Sequence, residues 1–111
     1  MNNLQRLQME TKGIELEQGE MIIYLQENGL EPYDKYDVNS IVNKRRIYMT
    51  ALSVLESIAN NTSLMSTLKI DDMTVSDFHE QLLARINQLE DKINKIPNSE
   101  EGFKSTFLLY N

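Results

Sequence analysis

Apolar positions recur along most of this chain at intervals of three and four, the spacing that gathers side chains on one face of an α-helix. The pattern is densest from about Ser40 to Asn60, where Ile41, Ile47, Tyr48, Ala51, Leu52, Val54, Leu55, Ile58 and Ala59 make the main core candidate. After Thr74 it tightens into a heptad. Val75, Leu82, Leu89 and Ile96 fall seven residues apart, and Ile86 and Ile93 interleave at the second core position. His79 occupies the first of those interleaved positions, with Phe78 beside it. The six residues Val75, Leu82, Ile86, Leu89, Ile93 and Ile96 are the candidate helix–helix seam, usable within a bundle or against a second copy. Thr74-Val75-Ser76-Asp77 fits a capping box at the start of this helix, and Pro97 ends it.

Weaker periodicity precedes these two segments. Leu4, Leu7 and Met9 mark a helix over about residues 2 to 12, stopped or kinked by Gly13. A second runs from about Leu16 to Asn28, with Met21, Ile22, Leu25 and Leu16 turned inward and Glu15, Glu17 and Glu20 near its positive N-terminal end. Asn28-Gly29 is a left-handed stop for it. From Leu30 to Asn39 neither helical nor strand alternation is present, so this reads as a loop of about ten residues. Asn60-Asn61 reads as the stop of the long helix, and residues 62 to 73 as a connection containing a short helical turn.

The expected class is therefore all-α, a small helical bundle of about four helices, with an extended apolar tail behind it. Residues 1–97 would form the single domain and residues 98–111 a linker and C-terminal tail. Four glycines and two prolines in 111 residues agree with few tight turns, and the length suits one domain. No apolar run approaches the roughly 18 residues of a membrane span. A secretory leader is not evident at Met1, and cysteine is absent, so a cytoplasmic site of synthesis is expected and thiolate chemistry excluded.

The net charge of -6 argues against general attraction to nucleic acid or anionic membranes. It is unevenly spread. Residues 1 to 37 hold 3 Lys/Arg against 8 Asp/Glu, while residues 38 to 111 hold 8 against 9, so the acidic character belongs to the first third.

Catalytic and metal-binding patterns do not emerge. No Gly-rich phosphate loop, zinc-protease motif, nucleophile elbow or calcium loop occurs in the sequence. His79 is the single histidine, and neither Asp77 nor Glu80 lies at the four-residue spacing that would set a carboxylate beside it, so it reads as a helix-face residue at the seam. Asp71-Asp72 reads as solvated charge ahead of a helix rather than a divalent site, which needs several more oxygen ligands. Glu90-Asp91 with Lys92 and Lys95 reads as an exposed face in which Asp91 and Lys95 are spaced for an ion pair. No catalytic residue, metal or cofactor is expected.

Two features point to partners instead. Lys44-Arg45-Arg46 is the one basic cluster, a candidate contact for an acidic partner or for nucleic acid, with Tyr33, Tyr36 and Tyr48 as possible stacking side chains. Phe103, Phe107, Leu108, Leu109 and Tyr110 lie within a short stretch where chains are normally polar, so this tail either folds back on its own helices or docks on another subunit.

The order of the segments LQMETKGIELEQ at 7 to 18, YLQENGLEPYDKYD at 24 to 37, NKRRIYMTALSVLESIANN at 43 to 61 and DDMTVSDFHEQLLARINQLEDKINKIP at 71 to 97 resembles the head-tail connector, or head-completion, proteins of tailed phages and prophages of Gram-positive bacteria. The resemblance covers roughly residues 4 to 97 and rests on extended similarity, since that family has no catalytic signature. It implies a helical virion protein that forms a homo-oligomeric ring beneath the portal at the head-tail junction. Its partners would be copies of itself, the portal protein, and a further connector, stopper or tail protein. DNA would pass through the ring without sequence-specific binding, and an acidic lumen would suit that passage by repelling phosphate. The competing reading, of a different class, is a small helical regulator that dimerises through residues 75 to 96 and binds DNA with Lys44, Arg45 and Arg46.

Overall fold

The computed structural model describes residues 1–14, 16–68 and 73–97. The architecture is all-α, with five helices among the described residues: α1 (Asn3–Glu10), α2 (Gln18–Glu27), α3 (Ile41–Ala59), α4 (Thr62–Leu68) and α5 (Val75–Lys95). One continuous apolar core holds them together. α3 is its centre, touching each of the other four helices and packing most broadly on α5.

Local chemistry explains where each helix begins. Asn2 accepts a hydrogen bond from the Gln5 amide, and Gln5 Oε1 accepts one from the Asn2 amide, both at 2.8 Å, so α1 opens with a complete capping box. Ser40 caps α3 by accepting from the Asn43 amide at 3.0 Å, and Thr74 caps α5 in the same way from Asp77. Only this hydroxyl half of the expected Thr74–Asp77 box forms. α2 ends as its Asn28-Gly29 pair predicts: Gly29 takes φ +78, the Leu30 amide donates to the Leu25 carbonyl and the Gly29 amide to the Gln26 carbonyl. That is the Schellman arrangement, and it turns Leu30 back into the core.

The long helix stops where Asn60-Asn61 predict, with Asn60 as its C-terminal cap. Asn61 has a second role: its side chain accepts from the Leu64 amide and its carbonyl from the Met65 amide, both at 3.0 Å. It therefore caps the start of α4, and the connection expected over residues 62 to 73 opens with a true helix that buries Met65.

The seam of α5 is spent inside the fold. Leu82, Ile86, Leu89 and Ile93 are buried with Phe78, while Val75 and Ile96 are only partly covered. The buried set steps by four, four, three and four residues, which follows a straight helix better than a strict heptad. Phe78 accordingly takes the place that the heptad assigned to His79, which stays half-exposed. Two other expected core members, Met9 and Ile41, face outward at 56% and 51% exposure.

Residues 30–40 form the expected loop, yet its Leu30, Pro32 and Tyr36 are buried. The loop is stitched to the start of α1: the Asn3 amide donates to the Asp34 carbonyl, Leu4 to Pro32 and Tyr36 to Met1, at 2.9 to 3.0 Å. The Asn3 side chain, 3% exposed, donates to the Glu31 carbonyl at 2.8 Å and accepts from Asn43 of α3 at 3.0 Å. A buried amide is stable only with such partners, so this one ties α1, the loop and α3 into one unit.

Candidate functional site

The three consecutive cations Lys44, Arg45 and Arg46 do not form one surface. Successive helix positions are about 100° apart, so the trio fans around α3. Arg46 turns to α2, where its guanidinium donates to the Gly29 carbonyl at 3.2 Å and caps that helix end. Arg45 lies along α3 with Nη1 3.1 Å from the Met49 sulfur and its Nε buried. Lys44 alone of the three is exposed, while Arg45 and Arg46 are half-buried.

A different basic group is assembled instead, around Tyr48. Lys44 Nζ lies 5.9 Å from the centroid of its ring, Lys92 Nζ of α5 5.4 Å and the Arg6 guanidinium of α1 5.8 Å. Arg6 also stands 5.4 Å over the ring of Tyr36. Both rings are 7% exposed, so the cations cover their faces, an attraction worth about 0.5–1 kcal/mol each at exposed sites. Glu10, one turn on, accepts from both terminal nitrogens of Arg6 at 3.3 Å. Desolvation works against the Arg6 charge, but interaction with Tyr36 and attraction to Glu10 outweigh it and hold its pKa above the ordinary arginine value. Three cations from three helices thus gather at the Tyr48 ring, Arg6 paired with Glu10 and Lys44 and Lys92 exposed, in a protein of net charge -6.

The opposite flank is acidic. Arg46 meets α2 and Tyr48 meets α5, and two residues turn a helix by about 200°, so α2 and α5 lie on opposite sides of α3. On α2 the exposed Glu20 and Glu27 and half-exposed Tyr24 follow spacings of three and four, Glu17 precedes the helix as its cap residue, and Ile23, 56% exposed, lies three residues after Glu20 and four before Glu27. Residues at those spacings are surface neighbours. An exposed aliphatic side chain is therefore rimmed by carboxylates.

A third surface lies at the end of the bundle where α1 and α3 begin. Met1, Tyr33, Val38 and Ile41 are 60%, 66%, 77% and 51% exposed, in segments bonded to one another through Tyr36 to Met1 and Asn3 to Asp34. Since α5 runs antiparallel to α3, bringing Lys92 to Tyr48, Pro97 emerges toward this same end.

No protein-family model, curated protein or solved structure matches the chain. Its own geometry must carry the functional argument.

Enclosed chemistry is sparse on that geometry. A hollow of about 430 Å³ sits at the α1–α2 turn beside Thr11, Lys12, Ile14 and Met21, and one of about 450 Å³ lies along the first turns of α5 beside Asp77 and Glu80. Among the described residues no three His, Asp or Glu side chains are grouped to hold a metal ion, and no helix is long and apolar enough to cross a membrane. Asp91 and Lys95 form no ion pair. Asp71, Asp72 and the tail residues Phe103, Phe107, Leu108, Leu109 and Tyr110 lie outside the described residues.

Arg6 and Lys92 were not singled out in the sequence as site residues. They stand 86 positions apart and meet only through the packing of α1 and α5 on α3. Arg85 shows the same limit: it donates to the carbonyls of Glu10 at 2.8 Å and Lys12 at 3.3 Å, capping α1 from α5.

Proposed function

We propose that this chain is a non-catalytic virion structural protein, a ring-forming connector that joins the portal of a tailed-phage head to the tail. The resemblance of its segments to head-completion proteins motivates the reading, and the apolar end formed by Met1, Tyr33, Val38 and Ile41 carries it. Exposed aliphatic and aromatic side chains grouped on a well-capped, hydrogen-bonded end are a docking surface rather than a solvent face. Such a protein acts by shape: the end surface meets the portal or the next connector, and copies arranged side by side leave a passage for DNA.

The cation arrangement speaks against the DNA-binding regulator. Arg45 and Arg46 are engaged within the fold, and the side chains that would pair two copies along α5 are buried against α3. The C-terminal segment from Phe103 to Tyr110 is the second proposed docking element, acting on a neighbouring subunit or on the portal.

The reading is tested by removing the gene from the phage or prophage that carries it. DNA-filled heads without tails are expected, and wild-type protein added to those heads restores tail joining. Normal infectious particles in its absence contradict the reading. Val38→Asp with Ile41→Asp should fold as the wild type does yet fail to restore the heads.

A further inference from the structure

We infer that the acidic α2 flank of one copy binds the Tyr48-centred basic flank of the next, so that the chain associates with itself head to tail. The two flanks match in chemistry. Glu20 and Glu27 flank the exposed Ile23, with Glu17 at the start of the same helix, while Lys44 and Lys92 stand over Tyr48. Among the described residues none of these five charged groups has an ion-pair partner within its own chain. Separating opposite charges on two faces of one small protein leaves each face attracted to the other face of a second copy.

The placement sets the symmetry. Because α2 and α5 lie on opposite sides of α3, one copy cannot satisfy its own flanks, and a two-fold dimer that used one pair would leave no reason for the contact to stop there. A contact between two different faces repeats, and it closes into a ring when the rotation per copy permits. The third surface, at the Val38 and Ile41 end, is then free to face a different partner. The inference rests on the connector reading only for the closed ring; the pairing of flanks stands on the charge pattern.

Charge reversal on each side provides the test. By sedimentation equilibrium in low salt, wild-type protein should show an average mass at least twice the 12.9 kDa chain, falling toward monomer at roughly 1 M salt, where the screening length is about 3 Å. Glu20→Lys with Glu27→Lys should be monomeric alone, as should Lys44→Glu with Lys92→Glu, because each then carries two flanks of one sign. An equal mixture of the two should associate. Ile23→Asp, at a side chain 56% exposed, should weaken wild-type association at least tenfold, with circular dichroism confirming its fold. Monomeric wild type in low salt overturns the inference, as does a mixture that stays apart or a reversed variant that associates unchanged. Monomeric wild type that shifts duplex DNA through Lys44 and Lys92 overturns it too, in favour of phosphate binding. Tail-less heads in the gene-deletion experiment alongside a monomeric wild type would leave the connector reading in place and remove only this pairing.

Discussion

The two sides of α3 are built by different means. Toward α5 the contact is long and periodic, with Phe78, Leu82, Ile86, Leu89 and Ile93 buried along a 21-residue helix. Toward α1, α2 and the 30–40 loop the helices are short, and position is fixed by caps and by the hydrogen bonds of Asn3, Asn43 and Arg46. Burial of apolar area is non-directional and tolerant of small shifts, whereas a hydrogen-bonded amide has one geometry. Both sides bury apolar side chains, Leu4, Leu7, Met21 and Leu25 on the stitched side among them, but only there do buried hydrogen bonds add a fixed geometry, which sets where the exposed end and the acidic flank point.

Substitutions on the two sides should separate these roles. The largest effect is expected at Phe78→Ala, where an aromatic ring 2% exposed is lost from the α3–α5 contact: about 3–5 kcal/mol by urea unfolding. A cost below 1 kcal/mol there would mean that α5 is not the main support. Next comes Asn3→Ala, about 1–3 kcal/mol, since it removes the side-chain donor to the Glu31 carbonyl and the acceptor of Asn43 Nδ2. Hydrogen exchange sharpens this case. Protection should fall in residues 31–36 and the first turn of α1 while α5 stays protected, and uniform loss would erase the distinction between the sides.

Gly29→Ala follows at about 1–2 kcal/mol, because φ of +78 is unfavourable for any Cβ and the added carbon would stand 3.0 Å from Arg46 Nη1. Thr74→Ala should cost about 1 kcal/mol by removing the cap of α5. The smallest change is expected from Lys92→Gln, about 0.5–1 kcal/mol from one cation over the Tyr48 ring. Its effect on self-association should be the larger of the two.

The same division decides what could be read from the sequence. Periodicity is a local signal that survives without tertiary knowledge, so α3 and the inward face of α5 were legible, as were the Thr74 cap and the Asn28-Gly29 stop. Asn60-Asn61 stops α3 as read, but that Asn61 also caps α4 was not legible, because only the following amides reveal the second role. Pro32 and Tyr36 are buried by long-range hydrogen bonds that leave no period in the sequence. Adjacency in sequence does not make one surface: Lys44, Arg45 and Arg46 are adjacent in the chain and fan apart on the helix, while Arg6 and Lys92 are distant in the chain and converge on Tyr48.

The charge of -6 thereby becomes a statement about faces. A carboxylate-flanked Ile23 on one flank and a cation-covered Tyr48 on the other are the two surfaces that the proposed self-association would join.

A zero-length carbodiimide cross-link between isotopically labelled and unlabelled copies tests this directly. Mass spectrometry should find mixed-label peptides joining Glu20 or Glu27 to Lys44 or Lys92. Cross-links confined to single-label peptides, or mixed-label links joining α5 of one copy to α5 of another, would contradict the account.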